Sequence, residues 1–538
     1  MKLSENTVKW IRILSHPDNT TIVRPVLFAS LILIAYTFFI AFGSYQGFPS
    51  GMKSSLRMPY LSDKPVGEDG YYMLTVAWNI ACGYGIAIRP GELTTGIQPL
   101  ATFIYSLLAW AVIIFKGNKY DFIRTVIIFS GINQIIFAYL AGKIASNISL
   151  STDNKIKSFA LTFITIVSSF YIFRVFAYGL ETGIYLTLFS IVILYSITKI
   201  TQTGLSLYHC VIFGGLIGLT GLARIDFGVV FIIFISLLLI SKKVSILQSV
   251  VIGLIALIVV FPWFIYVKEV SGAWIPSSGP AQSSIADLNT IKERIPAYAS
   301  ALIQNTFPIV FTGEKMLLTI IISIPLTISI FILLSYLNTL IKIKTASIIL
   351  LWLLSCLALT LIYLVFFWAT HFYARYTTPL LVVYWPLISV LYIEYYGRIK
   401  ERLYISHIEL FLVTILYIIN IGLSYLGLHV GRVGNPHSIS AGYIKNNVSN
   451  RILVGAFQSG VIGYYNDNIV NLDGKVNNHA LAALKDKRLN EYTVKTNIQY
   501  VIDWPGYLDQ LLKENDKYHI WKDSNLLINN GSKVIERL

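Results

Sequence analysis

Charged side chains are scarce in this 538-residue sequence. Aspartate, glutamate, lysine and arginine together make up only 13% of it, against roughly 25% in an ordinary soluble domain. Hydrophobic residues make up 55% of the chain, and its mean hydropathy is +0.66. A single soluble core cannot bury that much apolar surface, whereas a lipid bilayer accommodates it. The scarcity of charge therefore excludes a soluble globular domain and indicates an integral membrane protein.

Cysteine is also rare. The three cysteines, Cys82, Cys210 and Cys356, have no metal-ligand spacing, so neither a zinc site nor a disulfide framework follows from them. The apolar run at 26–42, which follows a basic N-terminal segment, lacks the small-residue cleavage site of a signal peptide. We therefore expect a first membrane anchor there, with a cytoplasmic N-terminus.

Acidic residues are outnumbered by basic ones, 27 to 42, which gives a formal net charge of +15. Many of the basic residues fall in short loops between apolar runs, where they set orientation and meet anionic lipid head groups. The positive charge therefore indicates membrane lipids, and not nucleic acid, as partners.

Long apolar runs predict an α-helical polytopic membrane protein with about 11–13 transmembrane helices over residues 1–427. The predicted crossings are 25–46, 98–115, 122–142, 158–177, 183–198, a hairpin of two short helices at 208–241, 245–266, 316–337, 346–367, 377–393 and 408–427. The topology assigned forward from the basic N-terminus differs by one crossing from the topology assigned backward from the C-terminus. The difference lies between residues 71 and 142. Either one segment there does not span, or the stretch 71–88 adds a crossing.

The basic loops place every long polar stretch on the outer side of the membrane. These stretches are the loops 47–97 and 267–315 and the C-terminal part, 428–538. The C-terminal part predicts a small extracytoplasmic α/β domain, with strands at 452–457, 468–472 and 500–502 and a helix starting near Ser459 and Gly460.

The first outer loop carries adjacent carboxylates at Glu68 and Asp69. Beside a membrane, such a pair is costly to desolvate unless it binds a cation, accepts hydrogen bonds or acts as a base. The alternative is a solvated loop with a turn at Asp69-Gly70. From their spacing alone, both interpretations stay open.

The order of motifs resembles that of GT-C glycosyltransferases, most closely bacterial arabinofuranosyl- and mannosyltransferase-like proteins. The similar segments are Glu68-Asp69, Gly83-Tyr84-Gly85, Pro90-Gly91-Glu92, Thr95–Leu100, Tyr178–Thr182, Leu222–Asp226, Pro262-Trp263, Tyr373–Tyr376, Gly463–Tyr465 and Asn471–Gly474. Where this family usually has two aspartates, the chain has Glu68-Asp69, and Ile225 stands where a proline is usual.

This resemblance implies a multi-pass protein of the bacterial inner (plasma) membrane with a periplasmic C-terminus. The implied reaction is transfer of a hexosyl or pentosyl group, with inversion, from a polyprenyl-phosphate donor to a hydroxyl acceptor on a cell-envelope glycan, lipid or protein. Some relatives use a divalent cation near the acidic loop and others do not, so a cation is compatible with the sequence and no metal ligand is assigned.

We predict Asp69 as the catalytic base that deprotonates the acceptor, with Glu68 as the second candidate. A guanidinium or imidazolium would stabilise the leaving phosphate, which favours Arg375 and His371, four residues apart. The predicted substrate-binding residues are Glu181, Arg224, Asp226, His371, Arg375, Gln98 and Tyr72.

Structural roles remain open for several of these side chains. Arg224 and Asp226 are spaced to form a salt bridge that fixes the helical hairpin, and His371 and Arg375 could anchor at the interface. At the level of the whole protein, the alternatives are a transporter or flippase of lipid-linked sugars and a scaffold whose C-terminal part binds envelope proteins.

Overall fold

The structure is a computed structural model, and it describes residues 17–42, 65–149, 151–202, 205–282, 290–306, 344–367, 372–400, 436–518, 520–524 and 532–538. In chain order, the first half contains α1 (Pro17–Phe42), α2 (Glu68–Ala81), β1 (Ala87–Arg89), β2 (Glu92–Leu93), α3 (Pro99–Ile114), α4 (Lys119–Ile148), α5 (Thr152–Val167), α6 (Phe170–Phe176), α7 (Thr182–Gln202), α8 (Leu207–Ala223), α9 (Phe227–Ile240) and α10 (Ile246–Ser271).

The second half begins with helices and ends in a mixed region. Its elements are α11 (Ser278–Gln282), α12 (Ile291–Thr306), α13 (Lys344–Phe366), α14 (Tyr373–Tyr376), α15 (Pro379–Lys400), α16 (Pro436–Asn447), β3 (Leu453–Ala456), α17 (Gly460–Tyr465), β4 (Ile469–Asn471), α18 (Asn478–Lys485), α19 (Leu489–Lys495), β5 (Ile498–Asp503), α20 (Pro505–Tyr518), β6 (Trp521–Asp523) and β7 (Lys533–Arg537).

Several helices are long and apolar enough to cross a membrane, which makes this a multi-pass membrane protein. Within the described part of the chain these are Arg24–Phe42, Lys119–Ile148, Thr182–Ile200, Ile246–Ser271 and Thr345–Phe366. Shorter apolar helices accompany them at Pro99–Ile114, Leu207–Ala223, Phe227–Ile240 and Pro379–Glu394. The predicted helical membrane fold is confirmed, while the predicted crossings at 316–337 and 408–427, and the predicted boundary at 427, lie outside the described residues.

The predicted crossing at 158–177 is not one helix. It breaks between α5 and α6 at Ser168 and Ser169, and the Ser169 side chain accepts a hydrogen bond from the backbone N–H of Ile172. Serine side chains compete with the helix for backbone hydrogen bonds, which favours such an end. Gln134 from α4 satisfies backbone carbonyls released at the break, because its Nε2 donates to the oxygen of Ile166 at 2.8 Å.

The stretch 71–88 does not form a long helix. Its first part belongs to α2, which has 14 residues and packs against α3 and α17, and its end lies in the two-stranded hairpin of β1 and β2. At 1.5 Å per residue, α2 is about 21 Å long, short of the roughly 30 Å of hydrocarbon. Helix α2 is therefore a loop helix that lies between the membrane helices and the C-terminal part.

The C-terminal part contains a five-stranded sheet in the order β4-β3-β5-β7-β6. Strand β3 pairs in parallel with β4 and β5, whereas β7 pairs antiparallel to β5 and β6. Parallel neighbours need helical connections, and α17 provides the one between β3 and β4. The predicted strands near 452–457, 468–472 and 500–502 and the helix that starts at Gly460 are all present.

Candidate active site

The loop that carries Glu68 and Asp69 contacts the segment Tyr178–Thr182 through glycines. The backbone N–H of Gly67 donates to the carbonyl oxygen of Tyr178 at 3.0 Å. A Cβ on Gly70 would lie 2.1 Å from that same oxygen, and Gly179 has a φ of +84°, which favours glycine. This close approach of two backbones places the start of α2 beside Glu181, the residue before α7.

Membrane helices begin and end around one cavity of about 190 Å³. Helices α3, α7 and α9 begin there, and α8 and α13 end there. The cavity is lined by most of the predicted site residues, namely Asp69, Tyr72, Gln98, Glu181, Arg224, Asp226 and Arg375. His371 lies outside the described residues, and so does its predicted helical face with Arg375.

Arg224 forms the salt bridge that its spacing from Asp226 suggested. Its Nε lies 2.8 and 3.0 Å from the two carboxylate oxygens of Asp226. Its Nη1 lies 3.8 Å from Oε1 of Glu181 and donates to the backbone oxygen of Arg375 at 3.3 Å. Asp226 also accepts a hydrogen bond from the hydroxyl of Tyr363. The pair therefore fixes the α8–α9 break and also positions the backbone of Arg375 at the cavity.

Arg375 lies on the short helix α14, which α12 holds in place. The side-chain Nδ2 of Asn305 on α12 donates to the backbone oxygen of Ala374 at 2.8 Å. The Arg375 guanidinium lies 5.3 Å from the ring centroid of Tyr376. Its Nε is buried and has no hydrogen-bond partner within the described residues.

A second buried polar atom at the cavity lacks a partner among the described residues. This atom is Oε1 of Gln98, the residue directly before α3, whose side chain makes no capping hydrogen bond. A buried polar group without a partner costs about 1–3 kcal/mol. A ligand that offers an anionic oxygen to Arg375 and a hydroxyl to Gln98 would remove both costs.

Asp69 and Glu68 are adjacent in sequence but face different surroundings. Successive side chains on a helix point about 100° apart. Asp69 lines the cavity, and its Oδ1 accepts a hydrogen bond from Nζ of Lys475 at 3.0 Å. Its other oxygen, Oδ2, accepts no hydrogen bond from the part of the chain that the structure describes.

Glu68 instead faces the C-terminal part. Its carboxylate accepts hydrogen bonds from the backbone N–H groups of Gly460 and Val461, at the start of α17. Burial raises the pKa of Glu68 to about 7, and these two hydrogen bonds oppose that rise only partly. Both oxygens are therefore engaged away from the cavity, and the role of Glu68 as the second candidate base stays a prediction.

Tyr72 connects the cavity to the C-terminal part. Its hydroxyl lies 3.3 Å from both the backbone oxygen of Phe457 and Oδ2 of Asp473, and it accepts a hydrogen bond from the N–H of Ser459. Burial raises the pKa of Tyr72 well above its usual value. Its predicted part in substrate binding stays a prediction, since the ring lines the cavity while the hydroxyl is engaged elsewhere.

Among the cavity-lining residues that sequence reasoning missed, Lys475 and Tyr363 contact the predicted carboxylates Asp69 and Asp226. Lys475 directly follows the family-like segment Asn471–Gly474, so the sequence indicated this segment but not Lys475 itself. Tyr363 lies within an apolar run, where a tyrosine is ordinary, and nothing in the sequence distinguishes it.

Comparison with known proteins identifies the fold of this chain, although the sequence identities are low. No family model matches the sequence, and no curated protein matches it. Among solved structures, the chain is similar to ArnT from Cupriavidus metallidurans bound to undecaprenyl phosphate, with a TM-score of 0.54 over 94% of this chain and 98% of that one at 10% identity. The chain has the GT-C fold.

A second GT-C structure agrees. The Archaeoglobus fulgidus oligosaccharyltransferase, tethered with an acceptor peptide containing the NVT sequon, matches with a TM-score of 0.51 and 11% identity. The match covers 89% of this chain and 69% of that one. At these identities the likeness concerns the fold, and it confirms the fold that the order of motifs implied.

Proposed function

We propose that this GT-C protein transfers a sugar from a polyprenyl-phosphate donor to a hydroxyl acceptor, with inversion, at the outer face of a bacterial inner membrane. One observation carries the proposal. Asp69, with an oxygen that no described residue engages, and Arg375, with a buried Nε that has no described partner, line the same cavity at the ends of membrane helices. A base and a cation facing one cavity are what a sugar transfer from a phosphate requires.

In the proposed reaction, the acceptor hydroxyl attacks the anomeric carbon of the donor sugar. Asp69 takes the hydroxyl proton as the new glycosidic bond forms. The bond between the anomeric carbon and the phosphate oxygen breaks on the opposite face, so the configuration inverts. The products are the glycosylated acceptor and the polyprenyl phosphate, and the proton on Asp69 passes to solvent.

The cavity is suited to the negative charge that develops on the departing phosphate. Arg375 offers a buried N–H, and Arg224 holds the Arg375 backbone in place. Helices α3, α7 and α9 begin at the cavity, and helix N-termini carry partial positive charge that favours anions. The similarity to ArnT, which was solved bound to undecaprenyl phosphate, supports a lipid phosphate as this anion.

The same helix ends support the proposed orientation. Asp226 precedes α9 at the cavity, whereas Lys242 and Lys243 follow the other end of α9. Lysine and arginine are enriched in cytoplasmic loops. With those lysines in the cytoplasm, the cavity opens at the outer face of the membrane, where lipid-linked sugars are presented.

A groove between the β1–β2 hairpin and the C-terminal part favours a glycan as the acceptor. The groove has a volume of about 970 Å³ and lies between the segment around Glu92 and helices α18 and α19. Its lining includes Tyr492, Glu491 and Arg488, and the buried Oε1 of Glu92 has no partner among the described residues. Carboxylates, a guanidinium and an aromatic ring suit the hydroxyls and faces of sugars better than a lipid chain.

The test is a transfer assay with purified protein in proteoliposomes. A panel of radiolabelled polyprenyl-phosphate pentoses and hexoses is offered with glycan, lipid and peptide acceptors. We expect label to move to a glycan acceptor from one of the donors. A chain that transfers none of these sugars to any acceptor contradicts the proposal.

The same vesicles distinguish an enzyme from a flippase. A flippase moves the lipid-linked sugar between leaflets without any acceptor, and it needs polar groups that line a path through the membrane. Within the described part of the chain, the charged side chains of this site, such as Glu181 and Asp226, lie at the ends of helices. We expect no acceptor-independent movement of the donor across the vesicle membrane.

A further inference from the structure

Lys475, from the C-terminal part, lies between two carboxylates at the cavity. Its Nζ is 3.0 Å from Oδ1 of Asp69 and 3.5 Å from Oδ2 of Asp473. The three side chains are largely buried, with exposed fractions of 18, 15 and 15%. The ammonium also lies about 6 Å from the ring centroids of Tyr72 and Phe372.

Two carboxylates that converge beside a phosphate-binding cavity are the ligands that a hard divalent cation prefers. Mg²⁺ or Mn²⁺ would need the oxygens of Asp69 and Asp473 about 2.0–2.2 Å away, in the space between them that the ammonium of Lys475 fills. Glu68 cannot complete such a ligand set, because its carboxylate is bound to the backbone of Gly460 and Val461. Across the described ranges, no three His, Cys, Asp or Glu side chains come together. The residues present do not fit a divalent cation here.

We propose that Lys475 takes the place of a divalent cation beside Asp69, so that sugar transfer by this protein is independent of divalent cations. This inference rests on the proposed function, because it concerns the same cavity. It makes Lys475 a positioning residue: the ammonium holds Oδ1 of Asp69 and leaves Oδ2 for the acceptor hydroxyl.

The backbone around Lys475 is fixed at this position. Its carbonyl oxygen accepts a hydrogen bond from the hydroxyl of Ser277 at 2.8 Å, and its N–H donates to Oδ1 of Asp473 at 2.8 Å. A Cβ on Gly96 would lie 1.8 Å from that carbonyl oxygen, so only glycine allows the contact. The C-terminal part therefore supplies a charge to the cavity at a defined place.

The ammonium keeps its charge in these surroundings. Burial opposes the charged form, but the carboxylates of Asp69 and Asp473 outweigh burial and raise the pKa of Lys475. A permanent cation between two carboxylates offsets their mutual repulsion, which is the task that a bound metal would otherwise perform.

The first test measures Mn²⁺ binding to the purified full-length protein by electron paramagnetic resonance, without any transfer reaction. We expect no tightly bound Mn²⁺ in the wild type. In Lys475→Ala, removal of the ammonium leaves space for a cation held by Asp69 and Asp473 with water as its remaining ligands, so we expect one Mn²⁺ per chain, lost again when Asp473→Asn is added. Tight Mn²⁺ binding by the wild type that Asp473→Asn abolishes overturns the proposal, and so does a folded Lys475→Ala that binds none.

The second test measures transfer. We expect a chelator to change wild-type transfer by less than about twofold, and we expect Lys475→Ala to lose about 10–100-fold without metal and to recover in part with millimolar Mg²⁺. Lys475→Arg, which keeps a cation, should stay independent of metal. Wild-type transfer that disappears with chelator and returns with Mg²⁺ contradicts the inference.

Lys119→Ala is the matched control. Lys119 also bridges the membrane helices and the C-terminal part, because its Nζ contacts Tyr464 and Asp467, but it does not line the cavity. Its variant should show neither Mn²⁺ binding nor dependence on Mg²⁺. If the wild type transfers no sugar at all, the proposed function fails, while the Mn²⁺ measurement still decides the role of Lys475.

Discussion

A Cβ on Gly460 would lie 2.1 Å from the backbone oxygen of Glu68. Helix α17 of the C-terminal part therefore rests directly on the first turn of α2, and the Glu68 carboxylate binds the first N–H groups of α17. This contact joins two segments that lie almost four hundred residues apart, and it sets where the C-terminal part meets the cavity.

Gly460→Ala should separate these backbones. Since backbone atoms cannot yield as a flexible side chain does, we expect a loss of about 1–3 kcal/mol in stability and a clear loss of transfer. Thermal unfolding in detergent and the transfer assay measure the two effects. Gly463→Ala in the same short helix is the control, because its Cβ would meet nothing closer than 3.8 Å. If Gly460→Ala and Gly463→Ala have the same stability and the same transfer rate, the close contact between α17 and α2 is wrong.

The stability of the protein should depend on pH through Glu68. Its folded-state pKa of about 7 exceeds its ordinary value of 4.5, so the folded chain binds more protons than the unfolded chain between these values. The contribution of Glu68 to stability therefore falls as the pH rises from about 4.5 through 7. Glu68→Gln loses one of the two backbone hydrogen bonds at every pH, because its amide nitrogen cannot accept one. Since it carries no charge, its unfolding temperature relative to that of the wild type should rise from pH 5 to pH 8.

The difference in unfolding temperature between Glu68→Gln and the wild type isolates this group from other titrating residues. Asp503→Asn serves for comparison, because Asp503 is also a buried carboxylate with a raised pKa but lies within the C-terminal sheet. If the difference in unfolding temperature between Glu68→Gln and the wild type is the same at pH 5 and pH 8, the pKa of Glu68 is not raised.

Asp69→Asn tests the proposed base. Asparagine keeps the size of the side chain and can still accept a hydrogen bond from Lys475, but it cannot take the acceptor proton. We expect kcat to fall by about 10²–10⁴-fold, with donor binding and thermal stability close to wild type. Transfer rates and binding of radiolabelled donor measure these quantities.

Asp467→Asn is the control for this substitution. Asp467 also pairs with a lysine, Lys119, but its side chain is 73% exposed and does not line the cavity. Its variant should transfer sugar at the wild-type rate. Asp69→Asn with wild-type kcat would show that another group removes the proton.

Arg375→Lys tests the role of the Arg375 guanidinium in stabilising the departing phosphate. Lysine keeps the charge but loses the planar guanidinium and the buried Nε that the structure leaves without a described partner. We expect kcat/KM for the donor to fall at least about tenfold, which corresponds to about 1.4 kcal/mol of transition-state stabilisation. Steady-state kinetics with varied donor measure this change.

Arg537→Lys is the matched substitution at a surface site. Arg537 donates a hydrogen bond to Oδ1 of Asn497 at the surface of the C-terminal sheet, and it lines neither the cavity nor the groove. Surface substitutions of this kind have little effect, so this variant should keep wild-type kinetics for the donor. Unchanged kcat/KM in Arg375→Lys would show that charge alone suffices at that position.

Much of the fold follows from local properties of the sequence. Apolar runs such as 245–266 predict membrane helices because each run by itself satisfies the length that the hydrocarbon requires. The strand near 452–457 is likewise predicted by its own residues. The segment 158–177 shows the limit of this reasoning, since its break at Ser168 and Ser169 depends on Gln134 from another helix.

The candidate site, like the fold, was only partly predictable from the sequence. The sequence by itself determined that the chain is embedded in a membrane and that its polar groups gather at loops such as the one around Asp69, because composition and apolar length are local quantities. Only the tertiary structure decided that Glu68 faces α17 while Asp69 faces the cavity, and that Lys475 reaches Asp69 across 406 positions. A contact between distant segments depends on how several helices pack together, and no local pattern in either segment encodes that.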